Sequence, residues 1–197
     1  MKNMNAKDIL VPTISLLVIC LVATALLALV NNITKDKIAE QVAISEAAAR
    51  VQVLPDAKEF EEVDMDGDKV TDYYEGIDAN GETVGYVFNT IGEAKGYGGD
   101  VAVTVGIDTD GIITGIVPGD ISNETPGLGQ NAGKASWQAQ FVGESGDLTV
   151  VKSDKAAQEN TSDGKINALT SATITSKAVT GSVNVALDMF EEIGGEN

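Results

Sequence analysis

Five hydroxyl side chains, Thr170, Ser171, Thr173, Thr175 and Ser176, crowd into the stretch ALTSATITSKAV just before an amphipathic segment. Hydroxyls in that place do one of two things. They cap the helix that follows, for which a single Thr173 or Thr175 suffices. Alternatively, one of them carries a group. A helix N-terminus presents free N–H donors and a partial positive charge, which suits a phosphate and therefore a phosphorylated ligand. The chain has no histidine, so no imidazole activates a threonine here and no Ser-His-Asp arrangement exists. Any covalent link at these hydroxyls has to be installed by a separate enzyme.

Two other stretches have spacings that suit ligands. DMDGDKVTDYYE (Asp64–Glu75) places acidic residues at the first, third, fifth, ninth and twelfth positions of a calcium loop, but Lys69 stands where glycine makes the turn. It reads either as a calcium site or as an acidic turn entering a strand. GLGQNA (Gly127–Ala132) fits the dinucleotide fingerprint formally, yet Pro126 precedes it and no strand runs into it. Its glycines mark a sharp turn or a close approach to the backbone.

Composition removes several classes of function. Thirteen basic and 30 acidic residues give a net charge of −17, which argues against a nucleic-acid partner. Cys20 is the only cysteine, so an internal disulfide, a thiolate zinc site and a self-contained iron–sulfur cluster are all excluded. Redox or group-transfer chemistry therefore requires an imported cofactor, and no independent catalytic constellation is visible.

The elements that position these residues begin in a membrane. Ile9–Val30 is uncharged and long enough to cross a bilayer as a helix. A cleavable signal peptide is the rival reading, since Ala23-Thr24-Ala25 resembles a cleavage site; the apolar run that continues past it favours an uncleaved anchor. Lys2 and Lys7 precede the run and Lys35 and Lys37 follow it, so flanking charge does not decide orientation. Residues 34–197 carry a net charge of −18, so the remainder stands off anionic headgroups.

Residues 1–33 thus form an anchor segment, residues 34–55 a helical stalk ended by Pro55, and residues 56–197 a soluble domain. In that domain VTDYYEGI and ETVGYVFNT flank the Asn80-Gly81 turn as a hairpin. DVAVTVGID and IITGIVPG form a second hairpin. Asp120–Gly133 is a loop, and Trp137 and Phe141 sit on a short helix packed on the sheet. Ala178, Val179, Val183, Ala186, Leu187, Phe190 and Ile193 form the apolar stripe of a closing helix stopped at Gly194-Gly195. Strands followed by a packed helix make the fold class α+β with a mainly antiparallel sheet.

LTSATITSKAVT resembles the flavin-attachment motif of FMN-binding domains, Ser/Thr-Gly/Ser-Ala-Thr followed by x-Thr-Ser. NETPGLGQ (Asn123–Gln130) resembles the family's Glu-Thr-Pro-Gly-Leu-Gly loop. KGYGGDVAVTVGID (Lys95–Asp108) resembles the Gly-Tyr-Gly-Gly strand that opens the domain. In order and length the chain is similar to the G subunits of Rnf electron-transport complexes, more than to the related C subunits of sodium-pumping NADH:quinone oxidoreductases. The resemblance implies FMN joined through its phosphate to Thr173 by a magnesium-dependent flavin transferase, with the soluble domain outside the cytoplasmic membrane. It implies a redox-carrier subunit, partnered by the other subunits of a membrane complex that couples ferredoxin and NAD to sodium or proton movement. Around the acceptor it implies Thr170, Ser171, Ala172 and Thr175 at the phosphate, and Glu124, Thr125, Gly127, Leu128 and Gly129 along the flavin. Two positions depart from the pattern: Asn167 replaces the usual aspartate and Ser171 the common glycine. Both bear on recognition by the transferase; neither removes the acceptor.

Overall fold

The computed structural model describes residues 6–63, 70–152 and 164–194. The chain divides into two units, Met1–Ser45 and Glu46–Asn197. In the first, the described residues belong to the long helix α1 (Ala6–Val53), the one described helix long and apolar enough to cross a membrane. None of its apolar window is buried against protein. Two of its hydroxyls bond back within the helix, Thr13 to the Ile9 carbonyl at 2.7 Å and Thr34 to that of Val30 at 3.0 Å. That is how a polar side chain remains satisfied in hydrocarbon.

The second unit is a five-stranded antiparallel meander in the order β1-β2-β3-β4-β5. Its strands are β1 (Glu59–Glu62), β2 (Val70–Ile77), β3 (Thr83–Ile91), β4 (Ala102–Asp108) and β5 (Ile113–Pro118). A 3-10 turn at Gly129–Gly133, a short helix α2 (Ala135–Gln138) and a parallel pair, β6 (Thr149–Val151) with β7 (Lys165–Asn167), follow. The helix α3 (Thr173–Gly194) closes the chain. The fold is the α+β arrangement expected, with both hairpins in place. The Asn80-Gly81 turn holds Gly81 at φ 85°, which an L side chain resists.

Two cores flank the sheet. On one side Phe88, Val103, Val105, Ile107, Ile113 and Ile116 pack with Val179, Val183, Ala186 and Leu187 of α3, together with Trp137 and Phe141. The alternation of a strand puts Val87 on the other side, against Val53, Leu54 and Ala57. There the final turn of α1 lies on glycine. A Cβ on either Gly106 or Gly115, partners across β4 and β5, would strike Val53. The Val53 carbonyl, a helix-end acceptor, takes the hydroxyl of Thr114.

Ser182 sets the seat of α3. Its hydroxyl accepts the Gly92 N–H at 2.9 Å and donates to the Val101 carbonyl at 2.8 Å. Thr90 donates to the Ser182 carbonyl at 2.7 Å. A side chain at Gly92 would run into the backbone of Gly181, so helix and sheet touch through their main chains here. This contact holds the N-terminal half of α3, and with it the hydroxyl cluster, against β3 and β4.

Of the acidic stretch Asp64–Glu75, residues 64–69 lie outside the described residues and Val70–Glu75 belong to β2. Among the described residues no group of acidic side chains is placed to hold a metal ion.

Candidate functional site

The hydroxyl cluster spans a tight turn and the first helical turn. The Leu169 carbonyl accepts the Ala172 N–H at 3.0 Å, closing a turn with Thr170 and Ser171 at its centre. Ser171 has φ 61°, the only described non-glycine residue in the left-handed region. A positive φ at the third position is the type II pattern, where glycine normally sits.

The helix starts without a side-chain cap. Ala172 occupies the capping position, its carbonyl accepting the Ser176 N–H at 3.0 Å. Neither threonine expected as the cap acts as one. Thr173 is already helical, and Thr175 donates its hydroxyl to Glu124 Oε2 at 2.6 Å. Ser176 turns back, donating to the Ala172 carbonyl and accepting the Leu169 N–H at 2.9 Å. The N–H groups of Thr173, Ile174 and Thr175 therefore meet no acceptor among the described residues. The Thr173 hydroxyl has no partner there either. What remains is a helix N-terminus with free donors and the partial positive charge of the macrodipole.

A cavity of about 490 Å³ opens at this point, lined by Tyr97, Glu124, Thr125, Leu128, Gly129 and Ser171–Thr175. Its size is that of a site for a cofactor-sized molecule. Eight of the ten residues expected at the site line it; Thr170 and Gly127 do not. Two residues not foreseen also do. Tyr97 is 77% exposed and Ile174 58% exposed, so the rim presents apolar surface to solvent. Ile174 carries a readable signal, since it is an apolar helix residue out of register with the buried stripe of α3.

Glu124 joins the walls. It is 3% exposed, with Oε2 bound to the Thr175 hydroxyl and Oε1 accepting the Gly98 N–H at 2.9 Å. A side chain at Gly96 or Gly129 would collide with its carboxylate. These contacts explain the glycine-rich stretch Lys95–Asp100, which is a loop rather than the strand expected; β4 begins only at Ala102. Glycine is required there because the backbone passes over Glu124 and Asn123. The facing loop braces itself. Its first carboxylate, Asp120, accepts the Ser122 N–H at 2.9 Å, which holds its pKa below the ordinary carboxylate value. Further along, Leu128 N–H donates to the Thr125 carbonyl and the Asn131 amide to that of Gly127.

The arrangement is suited to an anionic ligand. Free N–H donors and a free hydroxyl stand at one cavity wall, with an apolar rim beside them. A phosphate fits the former and a flat apolar ring the latter.

Comparison with known proteins places these features in a lineage. The model of the RnfG N-terminal region matches residues 1–53, and that of the FMN-binding domain matches residues 96–188. The chain is 40% identical over 193 residues to the G subunit of the Na(+)-translocating ferredoxin:NAD(+) oxidoreductase complex of Acetobacterium woodii, covering 90% of this chain and 89% of that one. It is 36% identical over 199 residues to the G subunit of the proton-translocating ferredoxin:NAD(+) oxidoreductase complex of Clostridium ljungdahlii, covering 98% of each. Among solved structures, NqrC of Shewanella oneidensis superposes with a TM-score of 0.52 at 16% identity, over 76% of this chain and 74% of that one.

Proposed function

This chain belongs to the family of Rnf complex G subunits and carries its FMN-binding domain, and from that premise we propose that it is an electron-transfer subunit holding FMN as a phosphoester on Thr173. The observation that carries the reading is the Thr173 hydroxyl, unpartnered on the wall of the cavity beside three unsatisfied helix N–H groups. A phosphoryl group on that oxygen would meet the donors that the helix leaves open, with Ser171 and Thr170 adjoining.

FMN bound here supplies one- and two-electron transfer; the protein supplies position and electrostatics. Tyr97, Leu128 and Ile174 offer apolar surface to the ring, and Thr125 and Gly129 line the same wall. Glu124 acts behind them, since both of its carboxylate oxygens already serve Gly98 and Thr175.

The wider assignment follows the family. Residues 1–33 anchor the chain in the bilayer, the helix runs on from residue 34 as a stalk, and the folded unit that begins at Glu46 stands on the extracytoplasmic side. A flavin transferase attaches FMN there, and the complex uses the electrons to move Na+ or H+. The relatives' names include both ions.

The test is the intact mass of the full chain made alongside an active flavin transferase, beside Thr173→Ala. A gain of one FMN less one water, present only with Thr173, is expected. No gain in the parent chain sinks covalent attachment. A yellow colour lost on denaturation assigns FMN to a noncovalent site instead.

A further inference from the structure

The cavity has an uneven charge make-up. Of its ten lining residues Glu124 is the only carboxylic acid, and neither lysine nor arginine is among them. The nearest basic residue in the Tyr97 loop, Lys95, is exposed and paired with Asp100 at 3.1 Å. The first turn of α3 contributes no acidic residue. Tyr97 is the other titratable group lining the space. Glu124 itself is buried, with Gly96 and Gly129 packed against its carboxylate. Water therefore screens it weakly from whatever occupies the cavity.

We propose that Glu124 sets the charge that the bound flavin accepts, disfavouring an anionic ring and selecting the neutral reduced form. The inference rests on the proposed FMN site and names a residue that governs its redox behaviour. Two electrons and one proton added to the oxidised ring leave it with one negative charge; two electrons and two protons leave it neutral. The electrons come from a neighbouring one-electron carrier of the complex, oxidised once for each electron given. With a carboxylate beside the ring, the singly protonated product is repelled and the second proton is favoured. Reduction then takes place at lower potential, with two protons for two electrons.

Glu124→Gln separates this role from the structural one. A glutamine keeps the shape and both hydrogen bonds. Its oxygen accepts the Gly98 N–H, and its amide donates to the Thr175 oxygen, which serves equally well as acceptor. Only the charge is lost.

The first measurement is the midpoint potential of the FMN-loaded full chain against pH, parent and Glu124→Gln compared at equal flavin content. A higher midpoint and a shallower pH slope in the variant are expected. Equal midpoints and slopes overturn the inference while leaving the attachment reading intact. If the parent chain gains no FMN mass, attachment has failed separately, and affinity decides the inference. Unloaded full chain is then titrated with FMN and with riboflavin, which lacks the phosphate. Glu124→Gln should bind FMN on the order of tenfold more tightly and riboflavin nearly unchanged, since removing a like charge helps only the anion. Weaker or unchanged FMN binding overturns the inference, because a structural role predicts loss for both ligands. A parent chain that takes up neither ligand overturns it together with the site.

Discussion

The indole N–H of Trp137 donates to the backbone carbonyl of Asn167 at 2.8 Å, while Gln140 accepts the N–H of the same residue at 3.0 Å. Two side chains from the α2 region thus grip both main-chain groups of the last residue in β7. Two residues later, at Leu169, the turn bearing the hydroxyls begins. The grip fixes where the hydroxyl-bearing segment leaves the sheet.

Trp137→Phe keeps the ring packed on Phe141, whose centroid lies 5.2 Å away, and removes only the donor. It removes one hydrogen bond to the Asn167 carbonyl, a loss of about 1 kcal/mol in urea unfolding. We also expect flavin mass to accumulate more slowly in the variant, because Thr170–Thr173 is then less firmly placed. Unchanged stability together with an unchanged time course would show that the grip is idle.

Ser171 bears a backbone conformation that its side chain resists. Ser171→Gly removes that strain and restores the family's commoner residue, offset in part by the extra freedom of glycine in the unfolded chain. The unloaded protein should gain up to about 1 kcal/mol, a rise of a few degrees in Tm. Ser171→Ala retains the strain and should leave Tm where it is. Equal melting temperatures for all three proteins refute the assignment of strain.

Tyr73 is buried between Tyr86 and Phe88, with ring centroids 5.9 and 5.0 Å away. Desolvation, with smaller contributions from Tyr86 and Glu75, pushes its phenol from 10.0 up to about 12. The unfolded chain therefore ionises this group first, and native stability falls as pH rises from 10 towards 12. Below that window the phenol is neutral in both states and contributes no slope. Tyr73→Phe should flatten the alkaline limb of a plot of stability against pH. An identical limb in the variant would assign the loss to other groups.

Much of this was written in the sequence, for identifiable reasons. The closing helix is legible because only one face of α3 meets the sheet, so its apolar residues recur at the helical period. The hairpins are legible because Asn80-Gly81 suits only a tight turn. The hydroxyl cluster stands out because one cap needs one hydroxyl and five were present. Gly96 and Gly98 read as the entry to a strand because their cause, the Glu124 carboxylate and the Asn123 backbone, is tertiary. Tyr97 stayed hidden for the same reason, since nothing local distinguishes an aromatic at a cavity rim from one in a strand. The short strands β1, β6 and β7 have too few residues to establish a period.

The seat of Val53 on Gly106 and Gly115 bears on where the chain can be cut. The helix formers run on without interruption to Leu54, and Pro55 looks like the natural point of division. Yet Ala49, Val53 and Leu54 are buried, and the compact unit begins at Glu46. A soluble fragment starting at Glu46 keeps the plug that fills the glycine channel. One starting at Asp56 loses it, opening bare backbone and apolar sheet to water on the face opposite α3. The membrane segment can be removed at Ser45, but the end of the same helix is an organ of the folded domain.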